Sequence, residues 1–443
     1  MTYENIKNII LVILVVLSGV LTWTLWTYQP NLELLENQKT LKEEPIGPTN
    51  EFSKLVLPEK VVYHYPNNEH YGTVDIGEIN KTINEIKEWN LTDFEDRSSE
   101  ADVLISSMYE PGNTVITYPD NVPIEQYQNV IAIDEAAALT FDFDHIVINS
   151  NNLDREDGIV YFISKKSSTV YQSHVRASLV QSFKDKYFEN TIFNENFSKY
   201  FRYQPSAGTT IFIPSGERQL VKYQYLSEEF DSDRFKNLLF SEPTIVQKNV
   251  QSTMEEFTDS SSLLRVMHDS NTISYINFDT SAEWSPVDSS LLSESIDYVN
   301  SHGGWTDNYR YDSFDQASNR VVFRQYELNG YPIFSDSSSK STVQVSWSQG
   351  KFREYRRSNF SFDAPLSDHL TVDLPSGESV VNHLENLEGF ELDQLEDIAI
   401  GYKMTKDPQT KLIYLDPSWY YLYGGNWIML SMEETGGINR GLE

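Results

Sequence analysis

"TVQVSWSQGKFREYRR", residues 342–357, reads as two strands folded back on each other. Apolar and polar side chains alternate on either side of Gln349-Gly350, and a glycine-containing pair between alternating runs is hairpin chemistry. Upstream lie "VVFRQYEL" (321–328), the turn Asn329-Gly330 and "YPIF" (331–334). Before these, Leu292, Ile296 and Val299 recur at helical spacing, and Gly303-Gly304 stops the helix. The order is therefore a helix followed by antiparallel strands.

The same order restarts at Ser376. Val380, Leu384 and Leu387 mark a helix that ends at Gly389. "EDIAIGYKM" and "KLIYL" follow as strands, and "WYYLY" and "NWIML" flank Gly424-Gly425 as a second hairpin. Each unit is expected to lay its helix on one face of its own sheet. The echo is structural, without a residue-level repeat. Earlier in the chain, Leu220–Tyr225, Leu264–Met267 and Ile273–Phe278 read as strands, and Phe235, Leu238 and Leu239 fit a short helix. Val61–Tyr65, His145–Asn149, Val160–Ser164 and Ile211–Ile213 are also strand-like. Helices are expected where Ile79, Ile83, Ile86 and Trp89 repeat, and over Arg176–Phe188. The fold class is α+β, with flanking helices on antiparallel sheets. The expected divisions are a stub and anchor at 1–30, an α+β domain at 31–205, a middle module at 206–285 and tandem helix-plus-strand units at 286–443.

The amino terminus differs from the rest. No charged side chain occurs between Asn8 and Leu32. As a helix, Ile9–Trp26 would be roughly 27 Å long, close to the roughly 30 Å of a bilayer core. Trp23, Trp26 and Tyr28 would then sit at interfacial depth, with Pro30 just past the end. The rival reading is a cleaved signal peptide. The run is longer than an ordinary h-region, and no A-x-A-like site follows, which favours an uncleaved signal-anchor. Lys7 before the span, and Glu33 and Glu36 after it, place the amino terminus in the cytoplasm and the body outside. One helical stripe carries Leu11, Val15, Ser18, Thr22 and Leu25, with Ser18 and Thr22 in a small-xxx-small arrangement. It suits close approach by another transmembrane helix. The alternative is a lipid-facing helix whose hydroxyls bond their own backbone. Asn31–Pro48 reads as a polar linker broken by Pro45, Gly47 and Pro48.

A net charge of -32 argues against nucleic acid and anionic lipid surfaces as partners of the body. The absence of cysteine excludes disulfides, zinc–thiolate sites and cysteine nucleophiles. HExxH, GxSxG and GxxxxGK[ST] are all missing, and the eight histidines form no ligand pair at helical spacing. Asp142, Asp144 and His145 in "DFDHI" come nearest to a site: they could bind a cation or act as acid and base, or lie solvated at a strand start. "NNLDREDG" (151–158) resembles a calcium loop, but Arg155 falls where a ligand should be, so a turn is expected. Glu228, Glu229, Asp231 and Asp233 read as a solvated acidic face. Trp419, Tyr420, Tyr421, Tyr423 and Trp427 crowd one hairpin, either as core or as a stacking platform for wall sugars. No metal or cofactor is expected. The alternatives to a non-enzymatic protein are a wall-polymer binding module and a membrane-anchored hydrolase.

The anchor "IKNIILVILVVLSGVLTWTLWTYQP", "LFSEP" at 239–243 and "ELNGYPIF" at 327–334, in this order and in a chain of this length, resemble the YycH family of low-GC Gram-positive bacteria. The resemblance covers nearly the whole chain. It implies a membrane-anchored extracytoplasmic protein without a catalytic site. Its implied partners are the sensor histidine kinase WalK, also called YycG, which controls cell-wall metabolism, and the small membrane protein YycI. It also implies that the anchor contacts the kinase's transmembrane helices, and that the carboxy-terminal modules are similar in fold to YycI.

Overall fold

A computed structural model describes residues 3–27, 44–133, 139–151, 157–278, 291–366, 370–407 and 409–431. The chain divides into two compact units, Met1–Glu44 and Pro45–Glu443. Helix α1 (Tyr3–Thr27) belongs to the first. The second is α+β, as expected, and contains three sheets.

The first sheet is built from β1 (Lys60–Tyr65), β2 (Glu69–Thr73), β3 (Asn90–Asp96), β4 (Asn113–Pro123), β5 (Ala132–Ile133), β6 (Asp142–Asn149), β7 (Asp157–Ser164), β8 (Thr169–Arg176), β9 (Ser198–Ser206) and β10 (Thr209–Pro214). Their spatial order is β10-β9-β2-β1-β4-β6-β7-β8-β3-β5. Helix α2 (Ile76–Lys87) covers one face. It starts where the Asp75 carboxylate accepts from Glu78 N at 2.9 Å, and it buries Ile79, Ile83 and Ile86. Helix α3 (Ala177–Phe183) joins it there, with Phe183 stacked against Tyr63.

The chain then alternates between the other two sheets. Strand β11 (Arg218–Glu229) enters the second, and α4 (Ser232–Leu239) follows it. Strands β12 (Gln247–Val250), β13 (Met254–Thr258), β14 (Ser262–Met267) and β15 (Thr272–Asn277) form half of the third. Helix α5 (Leu291–Ser301) precedes β16 (Tyr309–Asp315) and β17 (Arg320–Gln325), β18 (Ile333–Ser335) crosses to the second sheet, and β19 (Thr342–Ser348) and β20 (Lys351–Ser358) complete the third. The third sheet runs β12-β13-β14-β15-β20-β19-β17-β16. Strands at 247–277, 309–325 and 342–358 therefore share one sheet. β21 (Phe360–Pro365), β22 (Leu370–Leu374), helix α6 (Gly377–Glu385), β23 (Leu395–Lys406), β24 (Leu412–Tyr423) and β25 (Asn426–Met429) finish the second.

The opening hairpin is present: β19 and β20 pair antiparallel, and Gln349 and Gly350 both have positive φ, +48° and +74°, as a tight primed turn requires. Gly424 and Gly425, at +54° and +76°, do the same between β24 and β25. Two expectations change in detail. "YPIF" does not fold back along "VVFRQYEL" beyond a single bridge, Tyr326 to Pro332; its strand β18 pairs parallel with β23 instead. Burial explains the crossing, because Phe323 lies in the core beneath the third sheet, whereas Tyr331 and Ile333 lie in the core of the second. "KLIYL" and "WYYLY" are one strand, β24, that runs through Pro417. Pro417 lies opposite Tyr402, whose amide donates to Pro332 O on the far side at 2.9 Å. The β23–β24 ladder therefore demands no N–H from Pro417.

Candidate functional site

The anchor stripe lies on α1. From Leu11 to Trp23, where the side chains are described, every residue is exposed. Leu11 is 61%, Val15 65% and Trp23 70% accessible. Leu11, Val15, Ser18 and Thr22 fall within an arc of roughly 60° at helical periodicity, with Ile13 and Val20 opposite. The Thr22 hydroxyl donates to Ser18 O at 2.8 Å, the internal bond that lets a threonine sit in a non-aqueous medium. Gly19 borders the stripe, and a Cβ there would meet nothing within 4 Å. This glycine widens the small-residue surface beyond the Ser18–Thr22 pair. The helix backbone continues through Leu25 and Trp26, whose side chains lie outside the described residues, as does all of Tyr28. Among the described residues, no helix is long and apolar enough to cross a membrane.

The polar candidates are engaged in structure. β6 presents Asp142 exposed, Asp144 half-buried and His145 buried. Asp144 Oδ1 lies 2.6 Å from His145 Nδ1, and both of its oxygens accept from Lys165 N, at 3.2 and 3.3 Å. Burial pushes its pKa up, but the His145 ring and these hydrogen bonds outweigh burial and hold it below the usual carboxylate range. A cavity of about 40 Å³ beside it is lined by Asp120, Asn121, Asp142, Lys166 and Tyr311, among others, which is room for about one to three waters. Among the described residues, no cluster of three or more metal-ligating side chains forms. Residues 152–156 of the calcium-like stretch lie outside the described residues.

The acidic face is partly tied down. Asp231 caps α4, Asp233 pairs with Lys236 and Lys248, and Glu229 pairs with Lys406. The crowded aromatics are mostly packed. Trp419 is buried and its Nε1 donates to Pro375 O at 3.0 Å, while Tyr420 stacks on Phe334 at 4.1 Å. Tyr421 and Tyr423 are half-buried around Phe390. No row of parallel open rings remains there for a sugar to stack on.

Charge drawn inward, half-buried at Lys60 and Arg324 and fully buried at Arg357, is what the pattern does not disclose. Lys60 on β1 reaches Asp397 on β23 at 2.8 Å and Glu59 at 3.3 Å, tying the first sheet to the second. Burial disfavours the ammonium, yet the two carboxylates overcome it and raise the Lys60 pKa. Arg324 makes a bidentate pair with Asp312, at 2.6 and 2.9 Å. Arg357, fully buried, donates to Gly304 O and Thr306 Oγ1. A lysine or arginine in an alternating strand reads as solvent-facing, and no local signal marks these as internal.

Comparison with known proteins bears on both units. Residues 4–191 match the family description "YycH protein, N-terminal domain", and residues 208–435 match "YycH protein, C-terminal domain". The chain is 23% identical to the "Two-component system WalR/WalK regulatory protein YycH" of Bacillus subtilis (strain 168), over the whole of both chains. The crystal structure of YycH from Bacillus subtilis superposes with a TM-score of 0.71 at 18% identity, covering 88% of this chain and 99% of that one.

Proposed function

The chain belongs to the YycH family, and on that premise we propose that it is a single-pass, non-enzymatic regulator of a WalK-type sensor histidine kinase. In this reading α1 is the membrane anchor, its amino terminus is cytoplasmic, and the sheets stand outside the cell. The observation that carries it is the uncharged stretch of α1 that begins at Asn8, apolar and exposed from Leu11 to Trp23, on a chain whose relative, matched over its whole length, is named a regulator of the WalR/WalK system. Lipid tails compete as well as any protein for apolar surface, so close packing at Ser18, Gly19 and Thr22 supplies the attraction between helices. The kinase and a YycI-like membrane protein are the partners, and cell-wall metabolism is the controlled output.

Regulation then consists of binding one kinase state more tightly than another. A coupling of about 1–3 kcal/mol shifts the balance between states by roughly 5- to 150-fold. The stacking of Tyr420 on Phe334 and the burial of Trp419 leave the sugar-binding reading little open ring surface at this hairpin. Two experiments test the proposal. Protease added to intact protoplasts should remove the body and leave the anchor, and full protection would refute the orientation. Co-purification of the full chain from solubilised membranes should bring down the kinase and the small partner. Recovery without either would refute the partnership.

A further inference from the structure

The first described residues of the body are fastened to a part of the chain about 250 residues away. Gly47 N donates to Gly303 O at 2.8 Å, and Trp305 N donates to Pro48 O at 2.9 Å. Asn300, on the last turn of α5, accepts from Asn50 N at 3.0 Å and donates to Asn50 O at 2.9 Å. Its Oδ1 also accepts from Trp305 Nε1 at 2.8 Å. The Arg234 guanidinium donates to Pro45 O at 3.0 Å. Two glycines permit the approach. A Cβ on Gly47 would lie 2.2 Å from Trp305 O, and one on Gly304, whose φ is +77°, would lie 2.3 Å from Gly47 O.

The two sides of this seam are held differently. Arg357 supports the receiving loop from within, through Gly304 O and Thr306 Oγ1, by bonds that do not involve the strap. The strap itself is held mainly by hydrogen bonds, with Ile46 as its partly buried apolar residue. The first deeply buried apolar anchors come later, at Phe52 and Leu55. Segments with few apolar contacts open at lower free energy than core strands.

We infer that Pro45–Asn50 is a releasable clasp on the Gly303–Trp305 loop, and that its opening and closing alter the regulator's output. This rests on the regulatory reading above. Release would free these six residues, up to about 20 Å of chain at roughly 3.4 Å per extended residue, from α5 and the Gly303–Trp305 loop.

The test uses the full-length chain in lipid vesicles with the kinase. Asn300→Ala removes three side-chain hydrogen bonds, and Gly47→Ala blocks the close approach without touching α5. Asn50→Cys with Asn300→Cys, in a chain otherwise free of cysteine, closes the clasp under oxidation. Hydrogen exchange at the amides of residue 47 and Trp305 should accelerate about tenfold or more in either opened variant. Val321 and Val343, in the core of the third sheet, should keep wild-type protection. If Asn300→Ala also loosens those strands, Gly47→Ala decides. Kinase phosphorylation should move in opposite directions for the opened and the cross-linked chains, relative to wild type. Exchange of Gly47 and Trp305 only in step with Val321 would overturn the clasp, as would wild-type kinase output from both forms. A wild-type chain without effect on the kinase would instead overturn the regulatory reading itself, and with it the clasp's role.

Discussion

Acidification from pH 7.5 to 5 should destabilise the body through one buried histidine pair. His64 on β1 and His70 on β2 are register partners, and their Nδ1 atoms share a hydrogen bond at 2.8 Å. Tyr109 and Phe212 pack against His64, and both histidines are buried. Burial holds the His64 pKa well below its usual value, with the His70 ring and Arg202 adding to the effect. Burial and Arg202 bring His70 down to about 4. The sign follows from these depressions. The unfolded chain takes up protons near pH 6.5 while the folded chain refuses them, so the stability is fully present above about 6.5 and is lost as pH falls toward the folded values. At pH 5 the unfolded His64 lies about 1.5 units below its pKa, which costs the fold about 2 kcal/mol at 1.36 kcal/mol per unit. His70, whose Nε2 reaches the exposed Asn68 turn at 3.2 Å and is therefore closer to solvent than His64, contributes about 1 kcal/mol. Urea unfolding of the full chain in micelles, followed by tryptophan fluorescence, measures the loss. His64→Leu/His70→Leu removes both titrations, while the other six histidines remain common to both proteins. Wild type should lose about 3 kcal/mol more than the variant between pH 7.5 and 5. Equal losses would refute the reasoning.

Phe323→Ala, which empties a fully buried site between Trp305 and Tyr311, should cost about 3–5 kcal/mol in the same assay. Asp397→Asn should cost about 2–3 kcal/mol at pH 7: breaking a fully buried pair ordinarily costs about 3–5, this one is half-buried, and Glu59 still offers Lys60 a partner. A thermal melt with and without a chelator should superpose, since the Asp144 oxygens are occupied by His145 and the Lys165 amide. A large drop in the midpoint on chelation would make Asp142 and Asp144 metal ligands after all.

What periodicity and turn chemistry encode locally was readable. The helix at Leu292, Ile296 and Val299, the hairpin at Gln349-Gly350 and the one at Gly424-Gly425 each depend on neighbours in sequence, and each is present. Sheet membership was not, because "YPIF" has the same alternation whether it pairs with β17 or with β23. That "KLIYL" and "WYYLY" are one strand was not legible either, since the tolerance of Pro417 between them depends on where Tyr402 directs its amide. The His64–His70 pair had a signal in "YHYPNNEHY", where two histidines flank a turn and share one strand face. Lys60, Arg324 and Arg357 had none, because what makes their inward placement tolerable is a partner on another element: Asp397 on β23, Asp312 on β16 and the Gly304 carbonyl. For the anchor, the stripe of Leu11, Val15, Ser18 and Thr22 follows from helical spacing alone. What meets that stripe is a property of a second molecule.

That meeting is the central claim, and the decisive measurement is kinase phosphorylation in lipid vesicles containing the kinase, the small partner and the full-length chain. The comparison is wild type against Ser18→Leu and Thr22→Leu, with Ile13→Leu and Val20→Leu on the opposite face as controls. Leucine keeps α1 apolar enough to insert but holds a neighbouring helix away. The stripe variants should insert in normal amount, lose cross-linking to the kinase or to the small partner, and shift phosphorylation toward the level without the chain. The control variants should match wild type. If stripe and control variants regulate alike, or a foreign anchor serves as well, α1 is only a tether and the claim fails.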